Sequence, residues 1–462
     1  MERISAVLIA LSFGAATVIT VAPAPALSQT SDPAAGVAAA PAVAPAVAPA
    51  VAPAVASVTT IIDTVGFDPL AATEAYMAQL SPEARARSDA YFEGGYWLLF
   101  WGFLYGLGVA WLLLGTHLST RMRDVAEKLT RSRWLQTGIY AAQYILLAAI
   151  LSFPLTLYSG FFREHQYGLS NQSFPQWMRD QLVGLAVGVV LGVIALTIIY
   201  AVIRKATRSW WLWGAVVAVV FLALVATIAP VYIAPLFNTY RPLPESQLKT
   251  QILALARANG VPADNVYEFD ASKQSKRVSA NVSGMFGTAR ISLNDNLMNR
   301  STPAEVKAVL GHEMGHYVLN HVYKGLVFFA IVIVVGFAFV SWAFTKVHAR
   351  WGDRWGIRDV GDVAGLPLLA ALFSSYTFAV TPVTNTITRS AEAEADMFGL
   401  NAAREPDGFA GVAVQLSEYR KMHPGPVEEF ILFDHPSGWN RIHRSMVWKA
   451  EHIDDADIAA AK

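Results

Sequence analysis

The chain has no cysteine among its 462 residues. That excludes disulfides, thiolate metal sites and cysteine nucleophiles, so a bound metal has to be held by His, Asp or Glu. Charge is scarce as well: Asp, Glu, Lys and Arg make up 15% of the residues against 54% hydrophobic ones, too little for the surface of an ordinary soluble enzyme. A polytopic membrane protein surrounded by the lipid bilayer is the class that remains. The 35 basic and 35 acidic residues cancel, which gives no electrostatic reason to expect a nucleic acid or another polyanion as partner.

Arg3 and the apolar run from Ile4 to Val21 lead to Ala24-Pro25-Ala26, the pattern of a signal peptide or signal anchor over 1–26. Pro41, Pro45, Pro49 and Pro53 then recur in an Ala/Val background, so 27–58 reads as an extended linker. After an N-terminal helical segment at 59–94, apolar runs long enough to cross ~30 Å of hydrocarbon follow one another. Four lie near 95–115, 138–159, 182–203 and 210–233, forming a membrane region over 95–236, and two more lie near 325–345 and 363–383, forming another over 324–383. Ser374, Ser375, Thr377 and Thr381 interrupt the last run, as suits a helix beside a polar cavity. Gln143 and Ser152 are further polar candidates within the spans.

Two polar segments remain, 237–323 and 384–462. In the first, Glu245 to Asn259 reads as a helix stopped by Gly260, and Val266–Phe269 and Ala289–Leu293 read as strands. Basic residues set the orientation. Arg121, Arg123, Lys128, Arg131 and Arg133 occupy one loop, Arg204, Lys205 and Arg208 another, and Lys346, Arg350, Arg354 and Arg358 a third, whereas 160–181 holds only Arg163 and Arg179. The positive-inside rule puts the first three in the cytoplasm and the two polar segments outside, on the periplasmic face of a bacterial inner membrane.

Ser301-Thr302-Pro303-Ala304-Glu305 starts a helix that carries His312-Glu313-Met314-Gly315-His316, an H-E-x-x-H pattern. Positions four apart on a helix differ by about 40° in direction, so both imidazoles can reach one ion, and Glu313 projects beside them as a general base for a water. A catalytic zinc takes three protein ligands and leaves one position open. A third His six residues on is absent, since Val322 stands there, and His321 is expected on the opposite helix face as a surface or interfacial residue. Glu392 and Asp396 share a helix face farther along, where Glu392 can bind the ion and Asp396 can accept a hydrogen bond from a ligand imidazole, while Glu394 points the other way. A solvated acidic helix face is the competing reading of that segment.

These residues resemble the type I CAAX prenyl proteases, integral-membrane zinc endopeptidases, and their bacterial relatives. Arg163 to Phe174, Ile233 to Asn238 with Pro242-Leu243-Pro244, Asp270 to Lys273, Arg290 to Leu293, Asn385 to Asp396, and His435-Pro436-Ser437 with Arg441-Ile442 carry the resemblance in order, over about residues 90 to 450. It implies a mainly α fold: a polytopic helical membrane protein with spans around a chamber, plus a small α+β zinc-protease region holding the H-E-x-x-H helix. It also implies one Zn²⁺ per chain on His312, His316 and Glu392, and His435 and Arg441 in the cleft as oxyanion donors. Ala280, Asn281 and Val282 are implied as an edge strand that pairs with a peptide or protein substrate, lipid-modified or membrane-associated. The chain departs from the family there, reading Ser279-Ala280-Asn281-Val282-Ser283-Gly284 in place of Asn-Ala-Tyr followed by Gly. Eukaryotic members present their site to the cytosol, opposite to the side implied by the charges here. A general quality-control protease and a noncatalytic metal-binding membrane protein are the alternative functions.

Overall fold

The computed structural model describes residues 66–460 apart from 285–288. The expected signal sequence and linker lie outside the described residues. The short helix α1 (Pro69–Met77) is capped by Asp68. Next comes α2 (Pro82–Gly115), a 34-residue helix that starts well before the apolar run it contains. A surface helix α3 (Leu118–Leu129) leads to α4 (Arg133–Leu157), which runs on through a π turn to Gln166. The spans α5 (Phe174–Lys205) and α6 (Trp210–Ile228, continuing to Leu236) complete the first membrane region.

The second membrane region differs from the expected pair of spans. Helix α10 (His321–Trp355) is long and apolar enough to cross, but the segment near 363–383 is a bent pair. Its first limb, α11 (Leu366–Ala379), has 14 residues, about 21 Å at ~1.5 Å per residue and short of the hydrocarbon thickness. At Thr381-Pro382 the chain turns by 54° into α12 (Thr381–Ala403). Thus five described helices are span-length, or six counting the bent pair.

Around the ring α4 packs on α5, α5 on α6, α6 on α10, α10 on α11, and α11 returns to α2, which touches α4. One end of this ring is filled. Leu113, Tyr140, Tyr200, Trp210, Phe344 and Leu366 form a single buried cluster where the basic loops lie. Those loops are tied together there: Arg123 binds Asp362 at 2.7 Å, Arg358 binds Glu127 at 2.6 Å, and Gly361 packs against Arg204. Among the polar residues expected within spans, Gln143 and Ser375 bond to backbone carbonyls of their own or a neighbouring helix, whereas Ser152 and Ser374 are buried.

At the other end, the 160–181 loop is stitched to the half that carries the H-E-x-x-H helix. Asn171 N donates to Gln274 O at 2.9 Å, Lys276 N donates to Leu169 O at 3.0 Å, and Glu164 accepts from Tyr91 and Arg277. That half contains a four-stranded sheet of order β1-β2-β4-β3: β1 (Tyr240–Pro242), β2 (Val266–Phe269), β3 (Ala280–Ser283) and β4 (Arg290–Asn294). Only β2 and β4 run parallel. Helix α7 (Gln247–Ala258) covers the sheet and stops where Gly260 takes φ +69°, as the sequence predicts. The short α8 (Asp295–Arg300) leads to α9 (Pro303–Val318), the helix of the H-E-x-x-H motif. Val266, Ile291, Leu293, Leu310 and Met314 form the core between sheet and α9. Helices α13 (Pro406–Leu416), α14 (Pro426–Leu432) and α15 (Gly438–Glu451) close the far side.

The contact that positions the site is between α9 and α12, and glycines make it close. A Cβ at Gly311 would sit 3.0 Å from the Ala403 Cβ and the Gly399 carbonyl oxygen, and one at Gly315 would sit 3.1 Å from the Ala395 Cα. At Gly399 it would meet the backbone nitrogen of His312 at 2.7 Å. Backbone cannot swing aside as a side chain can, so Gly399→Val is expected to cost about 1–3 kcal/mol and to spread the metal-site helices. Thermal unfolding and zinc content of the purified protein check this, with Gly188→Ala, which meets nothing within 4 Å, expected to match wild type.

Candidate active site

Thr302 and Glu305 start α9 with a reciprocal capping box: Thr302 N donates to Glu305 Oε2 at 2.7 Å, and Glu305 N donates to Thr302 Oγ1 at 3.3 Å. Two and a half turns later His312 and His316 share a face of the helix, with their Nε2 atoms 3.2 Å apart. Glu392 arrives from α12, one oxygen 3.2 Å from His312 Nε2 and the other 3.4 Å from His316 Nε2. Donor atoms ~2.0–2.1 Å from a tetrahedral zinc lie about 3.3 Å from one another, which the 3.2 Å between the two Nε2 atoms and the 3.2 Å from His312 Nε2 to Glu392 Oε2 match. The donor set also fits, two imidazoles and one carboxylate with no thiolate. Among the described residues this is the one group of three or more His, Asp or Glu side chains placed to hold a metal. Glu313 follows His312 on α9 and is half-buried.

Behind His312 lies Asp396, one turn beyond Glu392 on α12 and fully buried. A buried carboxylate is costly unless paired, and this one is paired on every side. His312 Nδ1 is 2.8 Å from Oδ1, Arg441 brings Nη2 to 2.5 Å and Nε to 3.1 Å, and Arg444 brings Nη1 to 3.0 Å. With Asp396 on Nδ1, the His312 proton is held there and Nε2 is left for the ion. Arg441, expected in the cleft as an oxyanion donor, directs Nε and Nη2 at Asp396. His435, from the turn before α15, is buried with Nε2 3.4 Å from Glu392 Oε2 and Nδ1 2.8 Å from Asp434 Oδ1.

The expected strand Ala280, Asn281 and Val282 is β3, at the edge of the sheet and against α9. Ala280 is buried and Val282 packs into the core beside Met314, while the Asn281 Nδ2 is buried without a hydrogen-bond partner. Among the described residues no strand pairs with the outer edge of β3.

His321 is where the sequence reading fails. It is not at the surface: α9 ends at Val318, Asn320 takes a left-handed φ of 58°, and α10 begins at His321, which is 1% exposed with Nδ1 2.9 Å from His316 Nδ1. Reckoning the face from one continuous helix cannot find it. The one available signal is Asn320, a residue that tolerates the left-handed turn.

The two imidazoles differ electrostatically. Burial pulls His312 down, but hydrogen bonds and charge from Asp396 and Glu392 outweigh it and carry the ring from 6.5 up to about 9. In His316 burial prevails, and the ring falls from 6.5 to about 4.

Comparison with known proteins gives a consistent pattern. Residues 242–447 match the model of peptidase family M48, and residues 71–239 match that of the CAAX prenyl protease N-terminal region, described as five membrane helices. The chain is 29% identical to the uncharacterized metalloprotease YhfN of Bacillus subtilis over 82% of its own length and 89% of the relative's. It is 26% identical to CAAX prenyl protease 1 of Saccharomyces cerevisiae, over 63% and 68% respectively. The crystal structure of S. mikatae Ste24p superposes with a TM-score of 0.66 at 22% identity, covering 82% of this chain and 94% of that one, which establishes a shared fold.

The proton on His312 has a consequence for the metal-free protein. A folded pKa raised above the unfolded value means stabilisation that is complete below 6.5 and lost as pH climbs through about 9, whereas the His316 shift acts only below 6.5. The unfolding temperature of chelator-treated protein is expected to fall between those limits. A fall of the same size in His312→Asn would contradict the assignment.

Proposed function

Because the chain belongs to peptidase family M48, joined to the membrane region of the CAAX prenyl proteases, we propose which of its residues carry out the peptide hydrolysis of an integral-membrane metalloendopeptidase. The metal is zinc, one per chain, held by His312, His316 and Glu392. The observation that carries this reading is that the two Nε2 atoms lie 3.2 Å apart with one Glu392 oxygen 3.2 Å from His312 Nε2 and the other 3.4 Å from His316 Nε2. When bound, zinc lowers the pKa of a water toward ~7 and polarises a carbonyl.

Glu313 takes the proton of the attacking water and delivers it to the leaving amine. Asp396 holds His312 in the tautomer that leaves Nε2 free, and Arg441 and Arg444 keep Asp396 ionised and in place. His435, beside Asp434, donates from Nε2 to the oxyanion of the tetrahedral intermediate. Arg441 adds positive charge from behind Asp396. The substrate backbone pairs with the open edge of β3, through Ala280, Asn281 and Val282, which brings the scissile carbonyl alongside α9.

Several features support a wet chamber within the ring of spans. The ring closes on itself, its core fills the end with the basic loops, and the peptidase half is stitched to the opposite end. Water and membrane-associated peptides would then reach the zinc from that end, and a lipid attached to the substrate would stay among the spans. The relatives named as CAAX prenyl proteases favour prenylated peptides as the substrate class. The three clustered basic loops favour a bacterial inner membrane with the site on the periplasmic side.

Glu313→Gln is expected to reduce cleavage of prenylated and unmodified peptides by roughly 10²–10⁴-fold while still binding one zinc. Undiminished cleavage would end the protease reading, and equal rates on the two peptides would favour a general quality-control role. For orientation, reporter fusions at residues 127 and 300 are expected to fall on opposite sides, with 127 cytoplasmic. A cytoplasmic signal at 300 would reverse the topology.

A further inference from the structure

Among the described residues, His316, unlike His312, has no carboxylate within reach of its Nδ1. It has His321 instead, at 2.9 Å between the two Nδ1 atoms, with ring centroids 5.1 Å apart and planes at 68°. The other nitrogen of His321, Nε2, lies 3.1 Å from Glu394 Oε2, the same oxygen that takes Lys324 Nζ at 2.9 Å. The three side chains form a line: Glu394, His321, His316.

Two facing ring nitrogens at that distance share one proton, and the remaining atoms decide whose it is. Suppose His321 donated it. His321 Nε2 would then present a lone pair to the carboxylate, and His316 would carry its own proton on Nε2, the atom that faces His312 and Glu392. The opposite order satisfies every pair. His321 Nε2–H donates to Glu394, His321 Nδ1 accepts from His316 Nδ1–H, and His316 Nε2 keeps its lone pair for a metal.

We propose that His321 and Glu394 are a positioning pair for the metal site: Glu394 fixes the tautomer of His321, and His321 fixes the tautomer and ring orientation of His316. The proposal rests on the reading of His316 as a ligand. It gives the two imidazoles matching supports, Asp396 acting directly on His312 and Glu394 acting on His316 through an intervening ring. The break in the helix serves this arrangement. By ending α9 at Val318 and restarting at His321, the left-handed residue Asn320 folds the first side chain of the span α10 back under the ligand. The membrane helix thereby contributes directly to the geometry of the metal site.

The supports are unequal. Asp396 is fully buried, whereas the Glu394 side chain is 53% exposed and shared with Lys324, so its influence on the ring is the weaker.

Zinc affinity, read by competition with a chelator in detergent-solubilised full-length protein, tests the pair. His321→Phe keeps a ring but no acceptor and is expected to bind zinc 10–100-fold more weakly. His321→Asn, whose amide oxygen can take the place of Nδ1, is expected to recover most of the loss, a rescue that a merely space-filling role would not give. Glu394→Ala, at a position half open to solvent, is expected to weaken binding a few-fold and keeps the test available if His321→Phe fails to fold. Wild-type affinity in His321→Phe, or in Glu394→Ala if His321→Phe fails to fold, would overturn the proposal, as would equal losses in His321→Phe and His321→Asn. His316→Ala distinguishes the failures: unchanged zinc affinity there would overturn the ligand reading itself.

Discussion

Everything at the candidate metal site depends on two helices in close contact. Gly311 and Gly315 on α9 lie against the backbone of Ala395 and Gly399 on α12, with only the Cβ atoms of Phe398 and Ala403 as close. At that separation Glu392 reaches both histidines, and Asp396, one turn on, reaches behind the first. Larger residues at the contact would leave the same ligands on the same helices and too far apart to share an ion. The small residues that allow close approach of helices in membranes thus do their work here just outside the spans.

The second constraint is charge. Asp396 is sealed from solvent yet ringed by two guanidinium groups and an imidazole, and such a group holds its geometry because a lone buried anion is so costly. It ties α15 to α12 and α12 to α9 in one network. The histidines are thereby held from both sides, by Asp396 at His312 and by the buried ring of His321 at His316. A site with both imidazoles already oriented loses little freedom when a cation binds.

Much of this was legible in the amino-acid order, for identifiable physical reasons. The H-E-x-x-H helix, its Pro303 start and the pairing of Glu392 with Asp396 follow from helical periodicity, which is local. The spans follow from length and hydropathy, and Gly260 ends its helix as its freedom at positive φ predicts. What was not legible depended on tertiary context. The bend of 54° at Thr381-Pro382 in the run near 363–383, and the continuation that carries Glu392 into the site, are set by packing rather than by hydropathy. Arg441, expected in the cleft, also pairs with Asp396, a carboxylate 45 positions away whose proximity helical periodicity does not give. Periodicity puts His321 on the opposite face because it assumes an unbroken helix, and one left-handed residue, Asn320, cancels that assumption.

The central claim is that His312, His316 and Glu392 jointly grip one zinc ion. Zinc K-edge X-ray absorption on the purified full-length protein measures this directly. The account predicts one zinc per chain with two imidazole nitrogens and a carboxylate oxygen at ~2.0–2.2 Å plus one further light-atom ligand. A spectrum with a single imidazole, or zinc without imidazole scattering, would contradict it.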